Sequence, residues 1–234
     1  MTSSLMVNKL AGKFLAFDGP DGCGKTTQLR MMRDMLTAAG AQVVCASDPG
    51  GTQIGNRIRE TLLAYDLSAM DVRCETFLFM ASRAQLVSEV IEPAMADGAT
   101  VLCSRFISAT YAYQGAAGYD VARLLELGNA AVGDTWPDAT IVLDVPTDVG
   151  FKRTRRKPQQ AGKNRRRYAG QPALFEGATT DAMEARPIEY HRRVREIFRD
   201  LPGMYPRPVH VVDANAPPEK VHARIVELMQ RVDI

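Results

Sequence analysis

A glycine-rich stretch near the start of the chain carries the residues best suited to phosphate chemistry. Gly19 and Gly24 are separated by four residues, and Lys25 and Thr26 follow directly, which completes the pattern G-x-x-x-x-G-K-[ST]. Glycines let the backbone turn tightly and direct its N–H groups at phosphate oxygens. Lys25 can reach the β- and γ-phosphates of a nucleoside triphosphate, and the Thr26 hydroxyl can bind Mg²⁺. The pattern therefore predicts a phosphate-binding loop made of Gly19, Pro20, Asp21, Gly22, Cys23, Gly24, Lys25, Thr26 and Thr27.

The segments on either side of this loop support the same interpretation. An apolar run from Phe14 to Phe17 precedes the loop, and a helical pattern begins near Thr26. A strand, a glycine-rich loop and a helix in this order form the setting in which such loops bind phosphate. The first turn of the helix adds the positive end of its dipole. We therefore expect a nucleoside triphosphate to bind at this position.

Apolar segments and helical patterns alternate along the rest of the chain. Strands are predicted at 14–17, 43–46, 100–103, 140–145 and 209–212. Helices are predicted at 26–40, 54–64, 70–96 with a kink near Pro93, 108–116, 120–132, 181–200 and 219–231. This alternation predicts the α/β class and a three-layer P-loop NTPase fold, in which helices cover both faces of a five-stranded parallel sheet.

The predicted topology also locates a ligand site. Ligands of open parallel sheets bind beyond the carboxyl ends of the strands. The segments that follow the predicted strands should therefore surround one cleft, and these segments are 18–26, 47–52, 104–106 and 144–147.

Length and composition narrow the class of protein. A chain of 234 residues suits a single domain, 1–234, with one insertion. No run of 18 apolar residues is present, which argues against a membrane span, and residues 1–9 lack the apolar core of a secretory signal. The four cysteines show no C-x-x-C spacing, as expected for a reduced, cytoplasmic protein.

The positive charge of the chain is concentrated in one segment. Residues 152–167 carry nine cations and no acid, whereas the rest of the chain has 20 cations against 27 acids. We interpret 152–180 as a lid-like, Arg-rich insertion that supplies positive charge over a phosphoryl group in transfer. A solvated loop and a nucleic-acid-binding segment are the alternatives. Tyr168 is the one aromatic residue nearby, which argues against nucleic acid.

Five segments, taken in order, carry motifs that occur together in a known family. Residues 17–28 resemble F-E-G-x-D/E-G-x-G-K-T-T-Q, and residues 48–52 resemble the end of R-E-P-G-G-T. Residues 77–85 are similar to L-L-F-A-A-D-R-A-Q, Arg105 with 111–114 to D-R…A-Y-Q, and 137–146 to P-D-L-T-L-x-L-D-V-P. Over about residues 13–228 the chain thus resembles the thymidylate kinase family of nucleoside-monophosphate kinases, in its bacterial type.

The resemblance implies a reaction, a cofactor and partners. The γ-phosphoryl group of ATP would pass to dTMP, which gives ADP and dTDP without a covalent enzyme intermediate. Mg²⁺ would accompany ATP, and Thr26 would be its ligand. Members of the family are usually homodimers, so we expect a homodimer here.

The resemblance also assigns roles to residues of this chain. Phe79 would stack on the thymine ring, Arg83 would hydrogen-bond the base, and Tyr113 would pack under the deoxyribose. Arg105 would hold the acceptor phosphate, because a guanidinium fork suits an oxyanion. The complete expected acceptor set is Asp21, Asp48, Phe79, Arg83, Arg105, Thr110, Tyr113 and Gln114, and the expected catalytic set is Lys25, Arg105, Arg153 and Arg155.

Three places depart from the family pattern. Ser104 stands where the family has Asp before Arg105, and Ser47 replaces the Arg of R-E-P-G-G-T. Residues 158–180 have no counterpart in the pattern. The departures keep two alternatives open: a kinase for another deoxynucleoside monophosphate, and a nucleotide-binding homologue with little catalytic activity.

Overall fold

Five parallel strands form the centre of the protein. The computed structural model describes residues 3–64, 70–154 and 186–234. The strand order across the sheet is β2-β3-β1-β4-β5, and every neighbouring pair is parallel. The predicted parallel sheet and its five strands are therefore confirmed, with bounds β1 (Phe14–Asp18), β2 (Val43–Ser47), β3 (Thr100–Ser104), β4 (Ala139–Asp144) and β5 (Val209–Asp213).

The strands form a sheet that is covered on both faces because their residues are apolar on both sides. All five residues of β1 are buried. Phe14 and Ala16 belong to one apolar cluster, and Leu15 and Phe17 belong to another. This alternation is the period of two expected for a strand between two helical layers.

Helices make up the two outer layers. They are α1 (Ser3–Leu10), α2 (Lys25–Ala38), α3 (Gln53–Ala64), α4 (Val72–Leu86), α5 (Glu92–Ala96), α6 (Ile107–Ala116), α7 (Val121–Val132), α8 (Thr147–Arg153), α9 (Ile188–Met204) and α10 (Pro218–Arg231). Apolar residues of α1, α2 and α10 pack with Leu15 and Phe17 on one face. Residues of α4 to α7 and α9 pack with Phe14 and Ala16 on the other face.

The long predicted helix at 70–96 is present but changes its winding before Pro93. A π-helical segment, Val87–Ile91, joins α4 to α5. Proline has no N–H to donate to the preceding turn and crowds the carbonyl four residues earlier. The structure therefore accommodates Pro93 by a local change of helix type, at the place where the sequence predicts a kink.

Three helices differ from the sequence prediction. Neither α1 nor α8 was predicted, since each is short and shows no long apolar period. The helix predicted at 181–200 is present as Ile188–Met204, with Pro187 at its N-cap position, and residues 181–185 of the prediction lie outside the described residues. A proline disfavours helical backbone in the residue before it, which suits Pro187 to the start of this helix.

The predicted insertion at 152–180 lies mostly outside the described residues. Lys152 and Arg153 form the last turn of α8, and Thr154 caps it. The described chain resumes at Arg186, just before α9. The lid interpretation and the single-domain expectation therefore remain predictions.

Candidate active site

The glycine-rich loop lies between β1 and the first turn of α2. Gly24 occupies the N-cap position of α2 with left-handed backbone, and the helix begins at Lys25. The Lys25 ammonium lies over the loop and donates to the carbonyls of Gly19 at 2.9 Å and Pro20 at 3.1 Å. The loop thus holds one cation and the N-terminus of a helix side by side, which is the arrangement needed to bind phosphate oxygens.

The loop packs directly against the backbone of α8. Gly22 has a φ of +73°, and a Cβ at this position would collide with the Gly150 carbonyl. A Cβ at Gly150 would in turn collide with the Asp21 carbonyl. Glycine is required at both positions because two backbones approach this closely. The contact brings the end of α8 beside the phosphate loop.

Arg153, at the end of α8, bridges this loop to the loop after β5. Its Nη1 donates to the Gly22 carbonyl at 3.4 Å, and both terminal nitrogens donate to the Ala214 carbonyl, at 3.3 and 3.2 Å. Arg155, the other predicted lid arginine, lies outside the described residues.

A cavity of about 710 Å³ extends from the phosphate loop across the carboxyl ends of the strands. It is lined by most of the predicted site residues, namely Asp21, Gly22, Cys23, Gly24, Lys25, Thr26, Thr27, Asp48, Phe79, Arg83, Arg105, Thr110, Tyr113, Gln114 and Arg153. Gly19 and Pro20 belong to the loop but do not line the cavity. The predicted phosphate and acceptor residues thus share one enclosure.

A buried ion pair forms one wall of the cavity. Arg83 Nε donates to Asp48 Oδ2 at 2.6 Å, and both side chains are almost fully enclosed. Arg83 Nη2 also donates to the Phe106 carbonyl at 3.1 Å and to Thr110 Oγ1 at 3.0 Å. Burial raises the pKa of Asp48, although Arg83 opposes the shift. These three partners hold the guanidinium in one orientation beside the cavity.

Arg105 provides a second cation from a strained backbone. Its φ is +69°, which makes it the one non-glycine residue with positive φ in the described ranges. Its guanidinium pairs with Asp21, donates to Tyr113 Oη at 3.2 Å and lies 4.9 Å from the centre of the Tyr113 ring. Positive φ costs a residue other than glycine on the order of 1–3 kcal/mol, and such strain is concentrated at functional sites.

Asp18, at the end of β1, is enclosed beneath Arg105. Its carboxylate accepts hydrogen bonds from Gly19 N at 3.0 Å and Ser108 Oγ at 2.6 Å, and Arg105 Nη1 is 3.8 Å away. Burial raises the pKa of Asp18, while Arg105 lowers it. The carboxylate therefore supports the base of the site and already has its partners.

The two serines that depart from the family pattern are neighbours in the sheet. Ser47 ends β2, Ser104 ends β3, and the two residues pair in register. Both line the cavity. The family pattern has Arg and Asp at these positions, so the chain lacks one cation and one anion at the same point of the sheet.

The predicted cleft segment 144–147 does not line the cavity, which corrects that expectation. Asp144 accepts from Arg195 Nε at 2.7 Å and Nη2 at 2.9 Å, and this pair ties β4 to α9. The fourth wall is instead formed by Arg153 and Thr154, at the end of α8.

Sequence reasoning missed several lining residues. Arg59 on α3 reaches the cavity and donates to the Pro49 carbonyl at 2.9 Å. In the sequence, the only sign of such a role is the positive charge of Arg59 on the predicted helix 54–64. Ala214, Ala216, Pro218 and Val221 also line the cavity and form an apolar wall after β5.

No group of three or more His, Cys, Asp and Glu side chains within 3–64, 70–154 and 186–234 could hold a metal ion. Within the same part of the chain, every helix is too short or too polar to cross a membrane.

Known proteins share both the sequence and this arrangement. A family model described as Thymidylate kinase matches residues 17–225. The thymidylate kinases of Thermomicrobium roseum and Roseiflexus castenholzii are 40% and 39% identical to the chain. Those alignments cover 93% of this chain and 96% and 92% of the two proteins. The chain belongs to the thymidylate kinase family.

A solved structure of a thymidylate kinase has the same fold. The crystal structure of thymidylate kinase from Ehrlichia chaffeensis matches with a TM-score of 0.70 at 26% identity, over 93% of this chain and 98% of that one. The predicted P-loop fold is thereby confirmed. Membership of the thymidylate kinase family also confirms the predicted enzyme class, a phosphotransferase that converts dTMP to dTDP.

Proposed function

We propose that the protein transfers the γ-phosphoryl group of ATP directly to dTMP, through the residues that line the cavity. One observation carries this proposal: the phosphate loop and the buried Arg83 wall belong to the same cavity of about 710 Å³. Such an enclosure can hold a donor and an acceptor in contact, and alignment of two reactants is a large part of catalysis of phosphoryl transfer.

The donor nucleotide would occupy the end of the cavity formed by the phosphate loop. Lys25 would exchange the carbonyls of Gly19 and Pro20 for the β- and γ-phosphates, because an ammonium binds a phosphate oxygen more strongly than a neutral carbonyl. The adenine would lie along the apolar wall that follows β5, beside Arg153. The contact of Arg153 with the Ala214 carbonyl supports this placement.

The residues present fit a Mg²⁺ ion that enters with ATP. Asp18 and Asp21 are already bonded to protein groups, whereas the Thr26 side chain lines the cavity at the start of α2. Mg²⁺ in nucleotide sites takes few protein ligands and keeps waters and phosphate oxygens. Thr26 would therefore hold it. When bound, the ion neutralises charge on the β- and γ-phosphate oxygens.

The acceptor would occupy the end of the cavity formed by α4 and α6. Arg105 would hold the dTMP phosphate, with Asp21 fixing its guanidinium and Asp48 fixing that of Arg83. Arg83, Thr110 and Gln114 would contact the base, Phe79 would stack on it and Tyr113 would pack under the sugar. Arg59 also lines the cavity and adds a further cation to Arg83 and Arg105.

The basic segment would complete the site as a lid within a single kinase domain. Arg153 stands at its first residues, next to the phosphate loop. Arg155 and the cations that follow would add charge over the γ-phosphoryl group, and a lid arginine of this kind contributes on the order of 10³-fold or more to the rate.

The direct test is ADP release from ATP and Mg²⁺ with each deoxynucleoside monophosphate in turn. We expect turnover that strongly favours dTMP over dCMP, dGMP and dUMP. Preference for another monophosphate would support the alternative kinase. ATP binding without turnover on any acceptor would support the homologue of little activity, the alternative that Ser104 motivates.

We further propose a cytoplasmic homodimer. The cysteines Cys23, Cys45, Cys74 and Cys103 are all free thiols, which suits a reducing compartment.

Phe77 is 54% exposed in the middle of α4, and Cys74 and Ala81 are exposed on the same side of that helix. A second copy would cover this face. Light scattering should give twice the chain mass, and F77D should reduce it to that of a monomer.

A further inference from the structure

Glu75 is a buried carboxylate that no part of the predicted site includes. It lies on α4 with 1% of its surface exposed. Gln114 Nε2 donates to Glu75 Oε1 at 2.6 Å, and Arg186 Nη2 donates to Glu75 Oε2 at 2.8 Å. One carboxylate thus joins a cavity residue on α6 to the residue where the described chain resumes after the predicted lid.

Arg186 is itself held in a fixed orientation. Its Nη1 donates to Tyr190 Oη at 2.6 Å, and its guanidinium lies 4.6 Å from the centre of the Tyr190 ring. The Tyr190 hydroxyl in turn donates to the backbone carbonyl of Tyr113 at 2.9 Å. Burial raises the pKa of Tyr190, so its hydroxyl stays a donor at neutral pH. The network therefore reaches two consecutive residues of α6 that the proposed acceptor site uses.

The carboxylate decides which way the Gln114 amide faces. An ionised carboxylate accepts hydrogen bonds and cannot donate them, so the NH₂ group of Gln114 must face Glu75. The amide carbonyl oxygen then remains as an acceptor for a ligand. Arg186 holds Glu75 in place by a charge-assisted hydrogen bond, because a buried carboxylate needs a cation or hydrogen-bond donors to offset the loss of its hydration.

An amide carbonyl beside a base distinguishes pyrimidines by the chemistry of their ring nitrogen. Thymine carries an N–H at position 3, which such a carbonyl accepts. Cytosine carries a lone pair at the same position, which the carbonyl repels. A site whose carbonyl accepts a hydrogen bond from this N–H rejects a base without the N–H, because the buried carbonyl is then left without a partner.

We propose that Arg186 is a positioning residue for base recognition, which acts through Glu75 to set the orientation of the Gln114 amide. The proposal rests on the proposed function, since it takes the ligand beside Gln114 to be the base of the acceptor. It makes the residue after the predicted lid part of acceptor selection, without contact between Arg186 and the base.

The test compares four variants of the full chain, with Arg192 as the matched control. R186M removes the cation, and R186K keeps it. The double variant E75Q R186M removes both charges, so it leaves no unpaired ion buried. R192M is the control because Arg192 lies on α9, the helix that follows Arg186, and its side chain is 61% exposed and 3.9 Å from Glu189. For each protein, KM and kcat are measured with ATP and dTMP, and dTMP and dCMP binding are measured by calorimetry.

We expect R186M to raise KM for dTMP about tenfold and to reduce the preference for dTMP over dCMP by a similar factor. Its kcat and its KM for ATP should change by less than about threefold. The double variant should lose the same preference, R186K should recover part of it, and R192M should behave as the wild type. A structural role alone would lower thermal stability without changing the ratio of dTMP to dCMP affinity.

Two results separate the failure of this inference from the failure of the proposed function. If the wild type prefers dTMP and both R186M and the double variant keep that preference, the positioning role is wrong and the function stands. If the wild type neither turns over nor binds dTMP, the proposed function fails and this inference fails with it.

Discussion

Arg83 and Asp48 form the most enclosed ion pair among the described residues, and they lie at the proposed base site. Both side chains have 1% or less of their surface exposed. Burying two charges costs several kcal/mol per ion unless each finds good partners. Arg83 has four such contacts, with Asp48, Met80, Phe106 and Thr110. The Arg83 guanidinium is therefore held in place before any ligand binds. Such a group is suited to ligand recognition, because it needs no reorganisation when the ligand binds.

The variant R83M should impair both acceptor binding and stability. It leaves the Asp48 carboxylate buried without a cation, so the free energy of unfolding should fall by about 3 kcal/mol. KM for dTMP should rise at least about tenfold, while KM for ATP stays nearly constant. Urea unfolding and initial rates measure the two effects. R73M is the control on the same helix, since Arg73 pairs with Asp71 at the surface, and it should leave both quantities unchanged.

A stable R83M enzyme with an unchanged KM for dTMP would contradict this assignment. The ion pair would then be a structural feature of α4, and base recognition would lie elsewhere in the cavity.

At the scale of elements, the strand ends bring together residues that are far apart in the chain. Ser47 and Ser104 are neighbours only because β2 and β3 pair in register. In the sequence, Ser47 and Ser104 are two separate departures from the family pattern. In the sheet they are neighbours, so the Arg and the Asp of the pattern are both missing from the same place. Because both of two opposite charges are absent at neighbouring positions, neither is left there without the other.

The variants S104D and S47R should therefore be coupled. S104D adds one carboxylate near Asp18 and Asp48, whose pKa values are already raised by burial, so we expect it to reduce turnover or to make Mg²⁺ saturation harder. The double variant S47R S104D should restore turnover to within about threefold of the wild type. Initial rates over a Mg²⁺ titration measure this. Higher turnover by S104D alone would show that the serine had cost the enzyme a useful carboxylate.

Two histidines make the sheet edge sensitive to acid. His210 on β5 and His222 on α10 are partly buried, and burial lowers the pKa of each below its ordinary value. A histidine of this kind is protonated more readily in the unfolded chain, so its stabilising effect is complete above the unfolded pKa of about 6.5 and decreases as the pH falls through that value. The melting temperature should therefore drop between pH 7.5 and 5.5. The variant H210Q H222Q should show a smaller drop, and an equal drop would assign the acid sensitivity to other groups.

The elements and the parallel sheet could be predicted from the sequence, but the strand order and the contacts between distant segments could not. Apolar runs such as Val101 to Cys103 identify strands locally, and the glycine pattern identifies the phosphate loop. The strand order, the pairing of Ser47 with Ser104 and the network around Glu75 depend on contacts between distant segments. Arg186 carries no local signal, because a single cation before a helix is usually a surface charge.

At the scale of the whole molecule, one cavity contains every described part of the proposed reaction. The parallel sheet directs the ends of β1, β2 and β3 to the same edge, and α8 and the loop after β5 close the opposite side. The positive charge of the chain is also concentrated in one segment: residues 152–167 carry nine cations, while the rest of the chain is acidic overall. A phosphoryl group would thus move between two bound nucleotides inside one enclosure, away from bulk water.

The most direct measurement follows the phosphoryl group itself. The enzyme would be supplied with dTMP, Mg²⁺ and ATP labelled at the γ-phosphate, and the products would be separated. We expect the label in dTDP, in an amount equal to the ADP formed. Recovery of the label as inorganic phosphate, or ADP formation that does not depend on dTMP, would contradict direct transfer between two nucleotides held in this cavity.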